Sequence, residues 1–177
     1  MKVYISGGCK NGKSMLAQTL AKKLAKDAPL YYIATMIPHD REDNARIEKH
    51  LEDRAGWGFE TLEQGRDLLK CLENADANGT FLLDSVTALV QNEMFQEDKI
   101  DLSAGVRVSS DMAEFASKVK NIVMVSDYIF GDAERYDDLT EEYRRALAKA
   151  DKAAKDCDLV VEVLAGNYIV HKGELVL

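Results

Sequence analysis

Short apolar runs alternate with segments of helical periodicity along the chain. Five runs predict buried strands, at 3–6, 30–34, 80–83, 122–126 and 159–164. Segments 14–26 and 40–53 carry apolar residues at the spacing of an amphipathic helix. Segment 137–155 has no glycine or proline, and its residue types favour a long charged helix with a solvated outer face.

This alternation predicts an α/β fold. Strands separated by helices imply crossover connections and a mostly parallel sheet with helices on both faces. Two β-type runs within 160–171 flank Ala165-Gly166-Asn167 and predict an antiparallel hairpin at one sheet edge. Segment 96–107 has the weakest pattern, and we interpret it as a surface loop. The chain, residues 1–177, is predicted to form one domain.

Composition narrows the functional classes. The chain has 23 Lys and Arg against 31 Asp and Glu, a net charge of −8, which disfavours nucleic-acid binding through a global positive field. Any anionic ligand must therefore be captured locally. Cys9, Cys71 and Cys157 lack the spacing of zinc ligands, so reduced thiols in a cytoplasmic protein are expected. The chain has no run of 18 apolar residues and its start turns polar early, so neither a membrane span nor a signal peptide is expected.

A phosphate-binding loop is predicted after the first strand. The segment fits G-x-x-x-x-G-K-[ST] and consists of Gly7, Gly8, Cys9, Lys10, Asn11, Gly12, Lys13 and Ser14. Its glycines allow successive backbone N–H groups to surround a phosphate, and the helix that follows adds its positive dipole end. Lys13 is expected to reach the β- and γ-phosphates, and the Ser14 hydroxyl to ligate Mg²⁺. The alternative is a glycine-rich turn that contains Lys13 by chance.

A P-loop usually works with an acidic residue at the end of a neighbouring strand, which holds Mg²⁺ directly or through water. Asp84 follows the apolar run 81–83 and is predicted to be that ligand, together with Ser14. Its alternative role is the N-cap of a helix that begins near Val86. Asp127 follows the run 122–126 in the same way and is a second candidate for the metal.

His50 is a candidate nucleophile. It is one of three histidines and lies in a helix-like stretch with the phosphate-binding residue types Arg46, Lys49 and Arg54. A histidine beside an α-phosphate can attack it, form a phosphoramidate and release pyrophosphate. Spacing alone favours the simpler interpretation, a half-exposed helical histidine.

Five segments, taken in order, resemble one enzyme family. The P-loop opens with Gly7-Gly8, and Tyr32-Ile33-Ala34-Thr35 is followed by Asp40, Glu42, Arg46, Ile47 and His50 in the spacing D-x-E-x-x-x-R-I-x-x-H. Next come Thr61-Leu62-Glu63 and Leu82-Leu83-Asp84-Ser85-Val86-Thr87, with Asn92 and Phe95 beyond. From Met1 to about Phe95 the chain resembles the bifunctional adenosylcobinamide kinase and adenosylcobinamide-phosphate guanylyltransferase family of cobalamin assembly.

The resemblance implies a set of roles. His50 corresponds to the guanylylated histidine, and Glu63 to a guanine-nucleotide contact. Thr35, Arg46, Arg54 and Asp84 are further nucleotide-binding candidates, and Lys13 is predicted to act in catalysis with His50. The implied substrates are GTP, with ATP as an alternative, and a corrinoid acceptor, and the implied cofactor is Mg²⁺. Family members resemble homotrimers in which neighbouring chains share sites, so a homo-oligomer is expected.

The second half departs from the family pattern. Residues 125–135 correspond to the family segment V-[ST]-N-E-V-G-x-G-I-V-P. In this chain the Asn, the Glu, the first Gly and the Pro of that segment are replaced by other residues. Tyr143-Arg144 resembles the later F-R pair, but Ala148 and Asp151 stand at the family's Gly and Asn positions. Two functions therefore stay open. One is a GTP-dependent enzyme that guanylylates His50 and phosphorylates cobinamide; the other is a nucleotide-binding regulatory or interaction protein that has lost the transferase activity.

Overall fold

A seven-stranded sheet organises the chain. The computed structural model describes residues 1–38, 41, 47–48, 51–52 and 54–176. The strands of the sheet are β1 (Lys2–Gly7), β2 (Leu30–Ala34), β3 (Glu60–Glu63), β4 (Thr80–Asp84), β7 (Asn121–Asp127), β8 (Leu159–Leu164) and β9 (Asn167–Lys172). They are arranged in the order β3-β2-β4-β7-β1-β8-β9. A separate two-stranded ribbon is formed by β5 (Phe95–Gln96) and β6 (Lys99–Ile100).

Strand direction confirms the predicted fold class. Every neighbouring pair from β3 to β8 is parallel, and β8 pairs with β9 as an antiparallel hairpin. The phosphate loop follows β1, near the middle of the sheet. The fold is therefore α/β and P-loop NTPase-like, with the predicted hairpin at its C-terminal edge. The carboxyl ends of the parallel strands meet at one edge of the sheet, where open α/β folds bind ligands.

Helices cover both faces of this sheet. They are α1 (Lys13–Ala25), α2 (Val86–Met94), α3 (Ala104–Lys118) and α4 (Asp138–Asp151), with 3₁₀ helices at Leu68–Glu73 and Lys152–Asp156. On one face, Leu16 and Leu20 of α1 pack in a core with Ile5, Val123 and Val161. On the opposite face, side chains of α2, α3 and α4 pack against Phe81, Leu83 and Ile122. The sheet is thus buried on both sides, as continuous apolar strands require.

The predicted loop at 96–107 is wrong. Residues 96–100 belong to the ribbon of β5 and β6, and α3 begins at Ala104. Tertiary contacts hold this region in place, because Arg107 pairs at 2.9 Å with the buried carboxylate of Glu93. A Cβ atom on Gly105 would lie 2.2 Å from the carbonyl oxygen of Ala146, so glycine allows α3 and α4 to approach closely.

The predicted helix at 40–53 falls largely outside the described residues. The residues that are described there, Arg41, Ile47, Glu48, Leu51 and Glu52, are helical. Segment 137–155 forms α4 and the 3₁₀ helix at Lys152–Asp156, and Asp137 caps α4 by accepting hydrogen bonds from the N–H groups of Leu139 and Thr140. Within the described part of the chain, no helix is long and apolar enough to cross a membrane.

Candidate active site

The phosphate loop connects the end of β1 to the start of α1. Its backbone has left-handed φ angles at Lys10 (57°) and Gly12 (90°). A Cβ atom on Gly7 would lie 2.3 Å from the carbonyl oxygen of Val163 in β8. The first glycine of the motif is thus required by close packing against the neighbouring strand. Residues 10–15 surround an open depression of about 430 Å³, which is where phosphate is predicted to bind.

The Lys13 side chain is held across this loop. It is 7% exposed, and its Nζ donates a hydrogen bond of 2.6 Å to the carbonyl oxygen of Gly8. The same Nζ lies 2.9 Å from Oδ1 of Asp127. The lysine is therefore positioned over the depression, and its charge is paired with a carboxylate.

Asp127 lies at the end of β7, directly opposite Gly7 in the parallel register. Its backbone N–H donates to Oγ1 of Thr87 at 2.8 Å, and the next N–H, that of Tyr128, donates to the carbonyl oxygen of Gly7 at 2.8 Å. The Asp127 side chain is 37% exposed. The structure shows an ion pair with the P-loop lysine here. The role of Asp127 as a metal ligand, which the sequence suggested, stays a prediction.

Asp84 ends β4, on the other side of β7. Its Oδ2 accepts a hydrogen bond of 3.0 Å from the hydroxyl of Tyr32. Burial, together with the charge of Asp84, raises the pKa of Tyr32, so the phenol stays protonated and keeps donating to the carboxylate. The alternative role of Asp84 as an N-cap is wrong, because Ser85 caps α2 and accepts from the N–H of Ala88.

The donors at this edge suit Mg²⁺. Among the described residues there is no cluster of three or more His, Cys, Asp or Glu that could hold a metal ion. Mg²⁺ needs no such cluster when phosphates are present, because it is commonly held by one or two protein oxygens, substrate phosphates and water. The Ser14 hydroxyl, on the first turn of α1, and the Asp84 carboxylate are donors of this kind. Their joint role as metal ligands stays a prediction.

A cavity of about 460 Å³ lies beside Asp84, at the ends of β2, β3 and β4. The guanidinium of Arg54 lies 4.1 Å from the ring centre of Tyr32, and it donates to Oγ1 of Thr61 at 3.2 Å. Glu63, at the end of β3, also lines the cavity. The part of the lining that the structure describes thus combines an apolar wall with one cation and two carboxylates, which is typical of a ligand site.

Thr35 joins the ends of β2 and β4. It is fully buried, and its hydroxyl donates to the Ser85 carbonyl oxygen at 2.9 Å and accepts from the Ser85 N–H at 2.7 Å. The side-chain amide of Asn92 donates to the carbonyl oxygens of Thr35 and Gly65, at 2.7 and 2.9 Å. These contacts hold Ser85 and Gly65, which line the cavity. A direct contact between Thr35 and nucleotide stays a prediction.

A buried polar cluster lies behind the phosphate loop. The hydroxyls of Tyr4 and Ser126 both donate to Oδ1 of Asp151, the latter at 2.8 Å. Burial raises the pKa of Asp151; the two hydrogen bonds oppose this rise, and the negative charge of Asp127 adds to it. Burial likewise raises the pKa of Tyr143, whose hydroxyl donates to the carbonyl oxygen of Thr87. The carboxylates of Asp151 and Asp127 are therefore electrostatically coupled across the end of β7.

The structure describes most of the predicted site residues, and it leaves two of them, Arg46 and His50, outside the described part of the chain. The loop residues 7–14 and Asp84 are brought to one sheet edge, and Arg54 and Glu63 line the cavity. Cys9 and Lys10 are exposed on the loop. Arg46 and His50 lie outside the described residues, as do Asp40 and Glu42.

Sequence reasoning missed three supporting side chains. The sequence places Tyr32 in a buried strand and Thr87 and Asn92 at motif positions, and in the structure each takes part in a hydrogen bond at the site. Their signal is a polar group at the end of a strand or on the first turns of a following helix. That signal is too common to identify a site alone.

The family was assigned by comparison with known proteins. Residues 3–170 match the family described as cobinamide kinase / cobinamide phosphate guanyltransferase. The match includes the segment 125–151, where the family motifs are replaced. No curated protein is significantly similar to the chain.

Solved structures resemble the chain at low sequence identity. A protein from Pyrococcus horikoshii OT3 aligns with a TM-score of 0.52 and 8% identity, over 97% of this chain and 86% of that chain. The flagellar accessory protein FlaH from Methanocaldococcus jannaschii and a KaiC-like protein from Pyrococcus horikoshii OT3 each have a TM-score of 0.47, with 13% and 14% identity. Each covers 97% of this chain and 78% of its own. The likeness to the first structure concerns the fold alone.

Since the family match spans nearly the whole chain, the protein belongs to the cobinamide kinase / cobinamide phosphate guanyltransferase family. Membership implies a transferase of cobalamin biosynthesis whose substrates are a nucleoside triphosphate and a corrinoid.

Proposed function

We propose that this family member catalyses two reactions that consume a nucleoside triphosphate, the first of which uses GTP. In the first, His50 is guanylylated and the GMP passes to adenosylcobinamide phosphate. In the second, the γ-phosphoryl group of GTP or ATP passes to adenosylcobinamide. The observation that carries the proposal is the juxtaposition of a phosphate loop and a lined cavity at one sheet edge in a chain of this family.

The distance between the two compartments supports a nucleotide ligand. The loop follows β1 and the cavity lies at β4, with β7 between them. Two strand spacings separate Gly7 from Asp84, or about 10 Å. A nucleoside triphosphate is long enough to bridge this separation.

The chemistry of the cavity supports guanosine. Guanine carries hydrogen-bond donors on its ring edge, and Glu63 offers a carboxylate to accept them. Arg54 is held by Tyr32 and Thr61, so a fixed cation is available for a phosphate group. Ile47 and Leu51, which flank His50 in the sequence, line the same cavity and support His50 as the nucleophile.

The guanylylation step needs a nucleophile and a stabilised leaving group. A ring nitrogen of His50 forms a bond to the α-phosphorus, and the bond from that phosphorus to the bridging oxygen breaks, which releases pyrophosphate. Lys13 and the loop N–H groups stabilise the charge on the departing phosphates. An acceptor phosphate oxygen then attacks the same phosphorus and frees the histidine. Mg²⁺, held by Ser14 and Asp84, would neutralise phosphate charge in both reactions.

Three broader features complete the proposal. The acceptor is a corrinoid, and the protein acts in the cytoplasm as a homo-oligomer, by family resemblance a trimer. The buried thiols of Cys71 and Cys157 are free, which suits a reducing compartment.

The test is the mass of the protein after incubation with GTP and Mg²⁺. We expect a gain of one GMP with release of pyrophosphate, in a bond that is labile in acid and stable in base. His50→Asn should abolish the adduct and keep GTP binding, while His171→Asn, a change at an exposed histidine, should leave both intact.

An adduct that persists in His50→Asn would show that another residue is the nucleophile. Bound GTP with neither adduct nor turnover would favour the nucleotide-binding regulatory protein instead.

A further inference from the structure

We propose that Asp127 is the base of the kinase step, and that its carboxylate takes the proton of the acceptor hydroxyl as that oxygen attacks the γ-phosphorus. This inference rests on the kinase half of the proposed function. It concerns a position where the sequence departs from the family pattern, and where the structure shows a carboxylate beside the P-loop lysine.

The ion pair places Asp127 close to the transferred group. Its Oδ1 lies 2.9 Å from Nζ of Lys13, the group that is predicted to contact the β- and γ-phosphates. A carboxylate and a phosphate oxygen that bind one amine are at most about 6 Å apart, which is two hydrogen-bond lengths. An acceptor oxygen between them would be within reach of both.

The backbone fixes this carboxylate at the sheet edge. The N–H of Asp127 donates to Thr87, and the N–H of Tyr128 donates to Gly7 in the adjacent strand. The Asp127 side chain nevertheless remains 37% exposed. A base must combine such fixed placement with access for the substrate.

Charge explains what Asp127 does once nucleotide binds. When the phosphates also bind Lys13, the ammonium charge is shared between the two anions, and the carboxylate faces the phosphate. A hydrogen-bond donor between the two relieves that repulsion, and an acceptor hydroxyl is such a donor. Among the described residues, Asp151 and Tyr143 of α4 also face Asp127, and neither supplies a positive charge that would offset the phosphate.

The two acids at this edge then have separate tasks. Asp84 accepts from Tyr32 and borders the cavity, which suits a metal ligand. In the proposed step, the acceptor oxygen forms a bond to the γ-phosphorus, and the bond from that phosphorus to the β,γ-bridging oxygen breaks. The electron pair leaves with the nucleoside diphosphate, and the hydroxyl proton moves to Asp127 and then to water.

The first test compares Asp127→Asn with wild type in three assays. We expect kcat for adenosylcobinamide phosphorylation to fall about 10²–10⁴-fold, the usual contribution of a general base. GTP affinity should not weaken, because a negative charge beside the phosphates has been removed. The GMP adduct should still form, since attack by a histidine nitrogen needs no deprotonated hydroxyl. Glu134→Gln removes an exposed charge from the same segment and should leave all three assays unchanged.

The second test is chemical rescue of Asp127→Ala with formate. A small carboxylate in the space left by the side chain should restore part of the lost kcat, whereas a purely structural role would not respond. Absence of rescue, or unchanged kcat in Asp127→Asn, overturns the base assignment. Loss of both the adduct and the kinase activity would identify a metal ligand and also overturns it. Wild-type protein that phosphorylates no corrinoid would refute the kinase half of the proposed function itself, a separate result.

Discussion

The phosphate loop and the segment that follows β7 begin side by side and differ in how they are built. Gly7 and Asp127 are partners in adjacent parallel strands. The loop enters α1 at Lys13 and presents backbone N–H groups around a depression. The β7–α4 segment, residues 128–137, has no regular structure and is largely exposed. The two are joined where Lys13 pairs with Asp127.

The comparison shows why one half of the site can be recognised from sequence more easily than the other. A site made of backbone groups needs glycines at fixed spacing, so its function leaves a readable motif. A site made of side chains on an irregular segment depends on where the fold brings them. The sequence marks Asp127 only as an acid that follows an apolar run, and it is the sheet that places it opposite Gly7 and beside Lys13.

Lys13→Ala is the substitution with the largest expected effect on the loop. It removes a charge-assisted phosphate contact worth about 1.5–3 kcal/mol, so GTP affinity with Mg²⁺ should fall at least about tenfold. Isothermal titration calorimetry measures this directly. Lys23→Ala, an exposed position on α1, should bind GTP like wild type. Equal GTP affinity in Lys13→Ala and wild type would contradict the assignment of the loop as the phosphate-binding site.

Replacing one glycine in each region tests the difference in construction. Gly7→Ala would place a methyl group 2.3 Å from a backbone oxygen, so the free energy of unfolding should fall by about 1–3 kcal/mol. In the β7–α4 segment, the nearest atom to such a methyl on Gly131 is a ring carbon of Tyr128 at 3.0 Å, which can move. Gly131→Ala should change stability by less than about 0.5 kcal/mol. Similar losses in urea unfolding would contradict the contrast.

Alkylation of the three cysteines tests whether the loop contacts the bound nucleotide. Burial raises the pKa of Cys71 and of Cys157 to about 11, whereas Cys9 is exposed on the loop. Near pH 8 a thiol of that pKa is only about 0.1% thiolate, so Cys9 should be alkylated first. GTP with Mg²⁺ should slow labelling at Cys9 and leave the other two rates unchanged. Protection absent at Cys9, measured by mass spectrometry, would place the phosphates elsewhere.

Asp151→Asn is expected to give the smallest effect, and it tests the charge behind the β7–α4 segment. Burial raises the folded-state pKa of Asp151 above its unfolded value, so the protonated form is favoured in the fold. The stability from that protonated form is fully present below the unfolded pKa and is lost as pH rises through the folded pKa.

The asparagine variant lacks this titration. The unfolding midpoint of Asp151→Asn, relative to that of wild type, should therefore increase as pH rises from about 4 to 7. The control Asp156→Asn, at an exposed position, should show no such pH-dependent difference. A constant difference across that range would mean that Asp151 titrates normally.

The elements predicted well were those whose burial is continuous. The strands β2 and β8 have the predicted bounds, β4 is one residue longer at its end, and β1 and β7 are one residue longer at each end. The misses are elements that depend on distant partners. The strand β3 carries glutamates at both ends and is defined by pairing with β2. The start of α3 relies on Glu93 and on the close approach of Ala146.

By itself, the sequence determined the α/β class, the phosphate loop, the candidate acid Asp84 and the likeness to a corrinoid-modifying family, because each follows from local spacing and residue chemistry. Tertiary structure decided which acid pairs with Lys13 and which residues line the cavity. Those relations join residues far apart in the chain, such as Lys13 and Asp127, or Tyr32 and Asp84. Their distances are set by strand order and register, which local patterns do not encode.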